Sequence, residues 1–131
     1  MNTKLDKILA EISAGELVDK ITILEIKKVK IRNKDKLAEV EKELLSLNET
    51  MSKFINDSSK ISKFKNDLKN INLKLWDIED GKRHAEKNND FGENFIELAR
   101  NVYKFNDERA KIKLSINNVL GSNIKEVKSY E

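Results

Sequence analysis

The residues that could do chemistry in this sequence are basic and amide side chains that interrupt the apolar face of a long helix near the C-terminus. One line of them holds Asn106, Arg109, Lys113 and Asn117. Intervals of three, four and four residues place them on one side of that helix. Arginine binds a carboxylate or phosphate through two hydrogen bonds at once. The line therefore points to binding of a small anion.

An earlier helix has polar residues within its apolar arc. Glu25, Thr22 and Lys28 fall inside this arc at about 100° per residue, whereas Asp19 falls outside it. At a rise of about 1.5 Å per residue, Glu25 and Arg109 lie at about the same axial distance from the predicted turn near residue 57. We therefore predict a buried Glu25–Arg109 ion pair inside a bundle of helices.

A third helix adds Asn72, Trp76, Glu79 and Arg83 beside its apolar stripe. Glu25 and Glu79 are the candidate acids or bases, and the other polar residues are candidates for ligand binding. The predicted ligand-binding set is Arg109, Lys113, Asn106, Asn117, Asn72, Trp76, Arg83, Thr22 and Lys28.

This polar patch has two interpretations. A buried carboxylate needs a cationic partner, so the network can exist only to fix the register of the helices, in a protein that binds a partner protein or a second copy of itself. Alternatively, Arg109 and Lys113 hold a carboxylate or phosphate in a pocket, with an excess of cations that the ligand completes. Whether the protein is an enzyme stays open.

Composition excludes several classes of site. The 131 residues include no cysteine and no proline, so disulfides and thiolate zinc sites are excluded. Glu16-x-x-Asp19 is present, but the E-x-x-E pair that helical pyrophosphohydrolases use to bind magnesium is absent, so we expect no metal site and no cofactor. The net charge of +3 is spread along the chain without a basic block, which argues against nucleic-acid binding. No apolar run is long enough for a membrane span or signal peptide, so a cytoplasmic location is expected.

The elements that must position these residues are helices. Ser13-Ala14-Gly15-Glu16 has the form of a capping box and predicts a helix over about residues 14–31, although β-branched residues within 20–27 leave a strand as the rival. Apolar residues at alternating intervals of three and four, on both sides of residues 56–59, predict a helical hairpin with coiled-coil-like packing.

A last helix is predicted from a cap at Asp90 to about Leu120, where Gly121 ends it. We therefore expect one all-α domain over residues 1–131, an antiparallel up-and-down bundle of about four helices. Residues 1–12 are a short helix or an extended segment, and residues 121–131 are a tail.

Three motifs resemble those of an uncharacterised bacterial and phage family, domain of unknown function 6165. The opening motif is Gly15-Glu16-Leu17 followed by Asp19 to Lys27, the second is Leu75-Trp76-Asp77-Ile78-Glu79-Asp80, and the third includes Tyr103, Asn106, Arg109, Lys113, Ile116 and Asn117. The family usually has proline where Ala14 stands, which affects the helix cap. The resemblance covers almost the whole chain and implies no known activity.

Overall fold

A computed structural model describes residues 4–56 and 58–128, and these residues form four helices and no strand. The helices are α1 (Ala14–Lys30), α2 (Lys34–Phe54), α3 (Ser59–Lys87) and α4 (Glu93–Leu120). The all-α bundle is confirmed, and the rival strand at residues 20–27 is excluded because they lie within α1. Asp57 of the predicted turn lies outside the described residues, as do residues 1–3 and 129–131 of the two terminal segments.

The helix ends agree with the predicted caps in two cases and differ in a third. Ser13 caps α1, since its Oγ accepts a hydrogen bond from the Glu16 backbone N–H at 3.1 Å. Gly121 ends α4 in the left-handed conformation, with φ of 63°. The predicted Asp90 cap is wrong: Gly92 occupies the cap position, and Asp90 Oδ1 instead accepts from the Gly92 N–H at 3.3 Å. Asp90 thus closes a turn within the loop, two residues before α4 begins.

The core surrounds α1. Among the described residues, α1 closely approaches each of α2, α3 and α4, and α3 packs along α4. The buried apolar residues are Leu17, Val18, Ile21 and Leu24 of α1 with Val40, Leu44, Ile55, Ile61, Leu68 and Ile116. The backbones of α2 and α3 have no such close approach, so the coiled-coil-like packing of their hairpin is not confirmed. The antiparallel up-and-down order and the single domain stay predictions.

Both terminal segments continue beyond the helices. Residues 4–12 have no regular secondary structure and are exposed, so the helical alternative for the described part of this segment does not hold. Residues 122–128 fold back towards the start of α1: Ser122 Oγ accepts from the Ala14 N–H at 3.0 Å, and Asn123 Nδ2 donates to Glu11 Oε2 at 2.6 Å. The predicted tail is therefore partly packed onto the bundle.

Within the described parts of the chain, none of the four helices combines the length and apolar character that a membrane crossing requires.

Candidate functional site

The centre of the polar network is the carboxylate of Asp19, which has no solvent exposure. Arg109 donates hydrogen bonds to it from two nitrogens. Nε lies 3.0 Å from Oδ1 and 3.1 Å from Oδ2, and Nη2 lies 2.5 Å from Oδ2. Asn72 Nδ2 donates to Oδ1 at 2.9 Å. This pair joins α1 to α4, and Asn72 ties both to α3. A buried carboxylate is tolerated here because it is paired and hydrogen-bonded.

The predicted Glu25–Arg109 pair is wrong. Glu25 instead pairs with α3, where Lys65 Nζ lies 3.2 Å and Lys69 Nζ 3.5 Å from its carboxylate oxygens. Glu25 follows Asp19 by six residues, about 9 Å further along α1 at the rise of a helix. The axial position of α1 relative to α4 differs by that distance from the one expected from the α2–α3 turn, because direct contacts between α1 and α4 set it.

Asp19 was missed because its position on the helical wheel lies outside the apolar arc. That argument assumes that a helix has one buried face and one solvent face. α1 packs against three helices, so its buried residues include Gly15, Leu17, Val18, Asp19, Ile21, Thr22, Leu24 and Ile26, and they occupy most of its circumference. The Glu16-x-x-Asp19 spacing was the available signal, because both residues form ion pairs with α4.

Thr22 and Asn106 complete the Asp19 network. Thr22 is buried, and its Oγ1 donates to the Asp19 backbone carbonyl at 2.7 Å and accepts from Asn72 Nδ2 at 2.9 Å. Asn106 Oδ1 accepts a longer bond, 3.4 Å, from Arg109 Nη1. The hydrogen bond to Asp19 is the main reason that the pKa of Arg109 is raised above its ordinary value, against an opposing effect of burial.

Lys113 belongs to a second, adjoining set of ion pairs. Its Nζ donates to Glu16 Oε2 at 2.6 Å and to Glu126 Oε2 at 3.0 Å, and it lies 4.0 Å from Asp19 Oδ2. Burial lowers the pKa of Lys113, but the hydrogen bonds that it donates to Glu16 and Glu126, together with the negative charges of Glu16 and Asp19, outweigh this effect, so the pKa is raised. Arg109 and Lys113 therefore both have carboxylate partners.

Asn117 holds the start of α1 against α4. Its Oδ1 accepts from the Gly15 backbone N–H at 2.6 Å, while its buried Nδ2 has no partner among the described residues. A Cβ added at Gly15 would lie only 2.4 Å from the Lys113 carbonyl oxygen. Glycine is therefore required here by the close approach of two backbones, and Asn117 satisfies an N–H that the helix start leaves free.

A surface cleft of about 400 Å³ opens beside Arg109, between α1, α3 and α4. Six predicted residues line it, namely Asn72, Trp76, Glu79, Arg83, Asn106 and Arg109, together with Ile23, Ile26, Leu75 and Asp80. The five other predicted residues lie elsewhere: Thr22 and Asn117 are buried, Glu25 faces Lys65, Lys113 faces Glu16, and Lys28 is exposed near the end of α1. Six of the eleven predicted residues thus lie around one cleft, and the other five do not.

A model of a family of unknown function matches residues 8–131. The chain belongs to family DUF6165. A search of curated proteins and of solved structures gave no significant match. In this DUF6165 protein, the opening motif supplies the closely packed Gly15, the Glu16 partner of Lys113 and the Asp19 partner of Arg109, so that motif holds α1 onto α4.

Across residues 4–56 and 58–128, no group of three or more His, Asp or Glu side chains is arranged to hold a metal ion.

Proposed function

We propose that this DUF6165 protein is an assembly module of the cytoplasm that associates with a second copy of itself. The observation that carries the proposal is the N-terminal arm, residues 4–12, whose apolar side chains have no cover. Leu5, Ile8 and Leu9 are exposed to 76%, 83% and 88%. Three large apolar residues within five positions, all at such exposure, are typical of a segment that binds a surface outside its own fold.

The matching surface is the outer face of α4. Ile96, Tyr103 and Leu114 are all exposed there, at intervals of seven and eleven residues that keep them on one side of the helix. Two adjoining open hollows of about 750 Å³ and 440 Å³ lie along this face and share Asp107 and Lys111. The first is lined by α4 alone, and its charged side chains border Ile96 and Tyr103. We name this surface the α4 groove.

A second copy is the occupant that the energetics favour. Burying one Leu or Ile side chain contributes about 1.5–3 kcal/mol, so one arm contributes roughly 5–9 kcal/mol. Association costs about 4–15 kcal/mol, which can cancel that gain. Reciprocal exchange of two arms roughly doubles the burial for a single association cost, and a two-fold dimer provides it.

The Leu5, Ile8, Leu9 and Ile12 spacing of three, one and three residues also suits this role. These positions form one face of a helix, although residues 4–12 have no regular structure in the single chain. An arm that becomes helical only on docking would bring its apolar face into the α4 groove of the partner.

The closed polar network supports the same interpretation. Asp19, Arg109 and Lys113 all have partners inside the bundle, as expected of residues that fix helix register. The exposed apolar side chains of the arm and of α4 lie outside this network.

The absence of cysteine makes a direct test possible. Single variants Ile8→Cys and Tyr103→Cys are mixed and treated with a short bismaleimide. We expect a covalent heterodimer between the two variants, since each supplies one half of the proposed contact. Phe54→Cys in place of Tyr103→Cys is the matched control, because Phe54 is an aromatic residue exposed to 80% and lies outside the α4 groove.

Light scattering coupled to gel filtration gives the second readout. The wild type is expected to be a dimer, and Leu9→Asp a monomer with an unchanged helical spectrum. A wild type that stays monomeric at high concentration would show the self-association proposal to be wrong, as would equal cross-linking of Phe54→Cys.

The second candidate function, binding of a small anion, loses one of its two anchors. Lys113 is held by Glu16 and Glu126 and does not line the cleft. Arg109 does line it, and so does Glu79, the one candidate acid or base that remains beside it. The exposed part of the Arg109 guanidinium in the wall of the cleft still favours an anionic ligand there.

A further inference from the structure

The cleft contains two groups of opposite charge that have no partner. Arg83 and Asp80 line it, and neither has an ion-pair or hydrogen-bond partner among the described residues. The neighbouring Glu79 is bonded to Lys82 at 3.4 Å. One free cation and one free carboxylate therefore face the same space.

Arg109 adds hydrogen-bond donors in a fixed orientation. A guanidinium has five N–H groups. Arg109 uses one on Nε and one on Nη2 for Asp19, and one on Nη1 for Asn106. Two N–H groups are left, and the exposed 28% of the side chain lies in the wall of the cleft. Because Asp19 holds the group from the buried side, little side-chain entropy is lost when a ligand binds it.

The remaining walls are apolar. Trp76 is half-buried and stands with Ile23 and Leu75 around the cleft. A planar or apolar body packs well against such a surface, and aromatic rings in particular stack on an indole. A volume of about 400 Å³ is within the range of pockets for small molecules.

We propose that this cleft is a binding site for a small molecule with one carboxylate or phosphate group and a planar apolar body. The anionic group binds the free N–H groups of Arg109 and the guanidinium of Arg83, and the body stacks on Trp76. A hydrogen-bond donor next to the anionic group of the ligand reaches Asp80, which lies one helical turn from Arg83 on α3. The balance of charge around the cleft selects a single anionic group over a polyanion, because Glu79 and Asp80 repel further negative charge.

The site is independent of the proposed dimer. The cleft and the α4 groove share no residue, so the two proposals can fail separately.

Trp76 is the only tryptophan in the chain, so its fluorescence reports directly on the cleft. Full-length protein is titrated with four matched probes: 3-phenylpropionate, phenyl phosphate, phenylalanine and phenethylamine. We expect the three anionic or zwitterionic probes to change the Trp76 emission in a saturable way, with phenylalanine binding best because its ammonium group reaches Asp80. Phenethylamine, which lacks an anion, should give no saturable change.

Arg83→Gln tests the anchor without disturbing the fold, since Arg83 is exposed and unpaired. Loss of a hydrogen bond to a charged group should weaken the binding of 3-phenylpropionate about 10-fold to 100-fold. Arg32→Gln removes an exposed arginine outside the cleft and should leave the affinity unchanged.

Three results would overturn the proposal. They are no response of Trp76 to any probe at millimolar concentration, equal binding of phenethylamine and 3-phenylpropionate, and unchanged affinity in Arg83→Gln. A stronger response to phenyl phosphate than to 3-phenylpropionate supports the site and identifies phosphate as the preferred group.

Discussion

Asp19 is the residue on which the contacts between α1, α3 and α4 converge. Its carboxylate has no exposed surface, and it accepts hydrogen bonds from Arg109 and Asn72. Each partner is needed: an unpaired buried carboxylate must either stay charged at high cost or take up a proton. Glu25 is also paired, but its side chain keeps 26% of its exposure and is solvated as well.

Arg109→Ala is therefore expected to destabilise the protein by about 3–5 kcal/mol, the usual cost of leaving a buried charge without its partner. Glu25→Gln is the matched control and should cost no more than about 1 kcal/mol, since partly exposed ion pairs contribute little. Urea denaturation measures both. A change within about 0.5 kcal/mol for Arg109→Ala would contradict the assignment of a buried pair.

Removing both charges separates the structural role of Arg109 from its role in binding. Asp19→Leu with Arg109→Met should recover much of the lost stability, because apolar side chains of similar size need no partner. Asn72 keeps its bond to Thr22 in this variant. The recovered protein is expected to dimerise normally and to lose the fluorescence response of Trp76 to 3-phenylpropionate. A double variant as unstable as the single one would show that the two residues are not coupled.

At the scale of the elements, the register of α1 against α4 is set where the two helices come closest. Gly15 lies against the Lys113 carbonyl, and Asn117 accepts the Gly15 N–H. Glu16 and Asp19 then meet Lys113 and Arg109 at successive positions along the same pair of helices. A shift of either helix at Gly15 would therefore misplace both ion pairs.

Gly15→Ala should destabilise the protein by about 1–3 kcal/mol, as overpacking usually does. The added Cβ would meet backbone atoms, the Lys113 oxygen at 2.4 Å and carbon at 2.9 Å, which cannot move without moving α4.

Gly81→Ala is the control for the same substitution inside a helix. Its Cβ would meet the end of the Leu98 side chain at 3.2 Å, which can turn away. Alanine also gains about 1 kcal/mol in helix propensity over glycine, so this variant should be neutral or more stable. Thermal unfolding compares the two, and an equal effect at both positions would contradict the argument from close packing.

At the scale of the whole molecule, the segment after α4 is held to the bundle by an ion pair and by bonds around the start of α1. Glu126 reaches Lys113 at 3.0 Å, while Ser122 and Asn123 bond to Ala14 and Glu11. The hydrogen bond with Lys113 lowers the pKa of Glu126 below its ordinary value of 4.5, against a smaller effect of burial.

The Glu126 contact should therefore depend on pH in a defined direction. Because its pKa is lower in the folded state, its stabilisation is present above about pH 4.5 and is lost as the pH falls through the folded value. The Lys113 pKa is raised, so its contribution is present below pH 10.5 and is lost as the pH rises through the folded value.

Melting temperatures of the wild type and Glu126→Gln, compared across pH, measure this effect. The wild type should melt higher at neutral pH, and the difference should disappear in acid. A difference that persists in acid strong enough to protonate Glu126 in the folded state would show that Glu126 acts through something other than its charge.

Local sequence patterns are enough to predict the helices. Apolar residues at intervals of three and four, the Ser13 cap and the Gly121 stop are local features, and each acts through backbone hydrogen bonds within a few residues. The sequence also identified six of the ten residues around the cleft, because polar residues beside an apolar stripe are few and come to the edges of helix contacts.

The pairing of charges between helices depends on how the helices pack against one another. Glu25 and Asp19 are both acidic residues of α1, and nothing local distinguishes the partner of Arg109. The pairing of Arg109 with Asp19 depends first on the axial position of α1 against α4, which the close approach of Gly15 to Lys113 fixes. It depends also on the packing of three helices around α1, because this packing buries Asp19, which would face water on a helix with one buried side. Both are long-range properties, and a helical wheel contains neither.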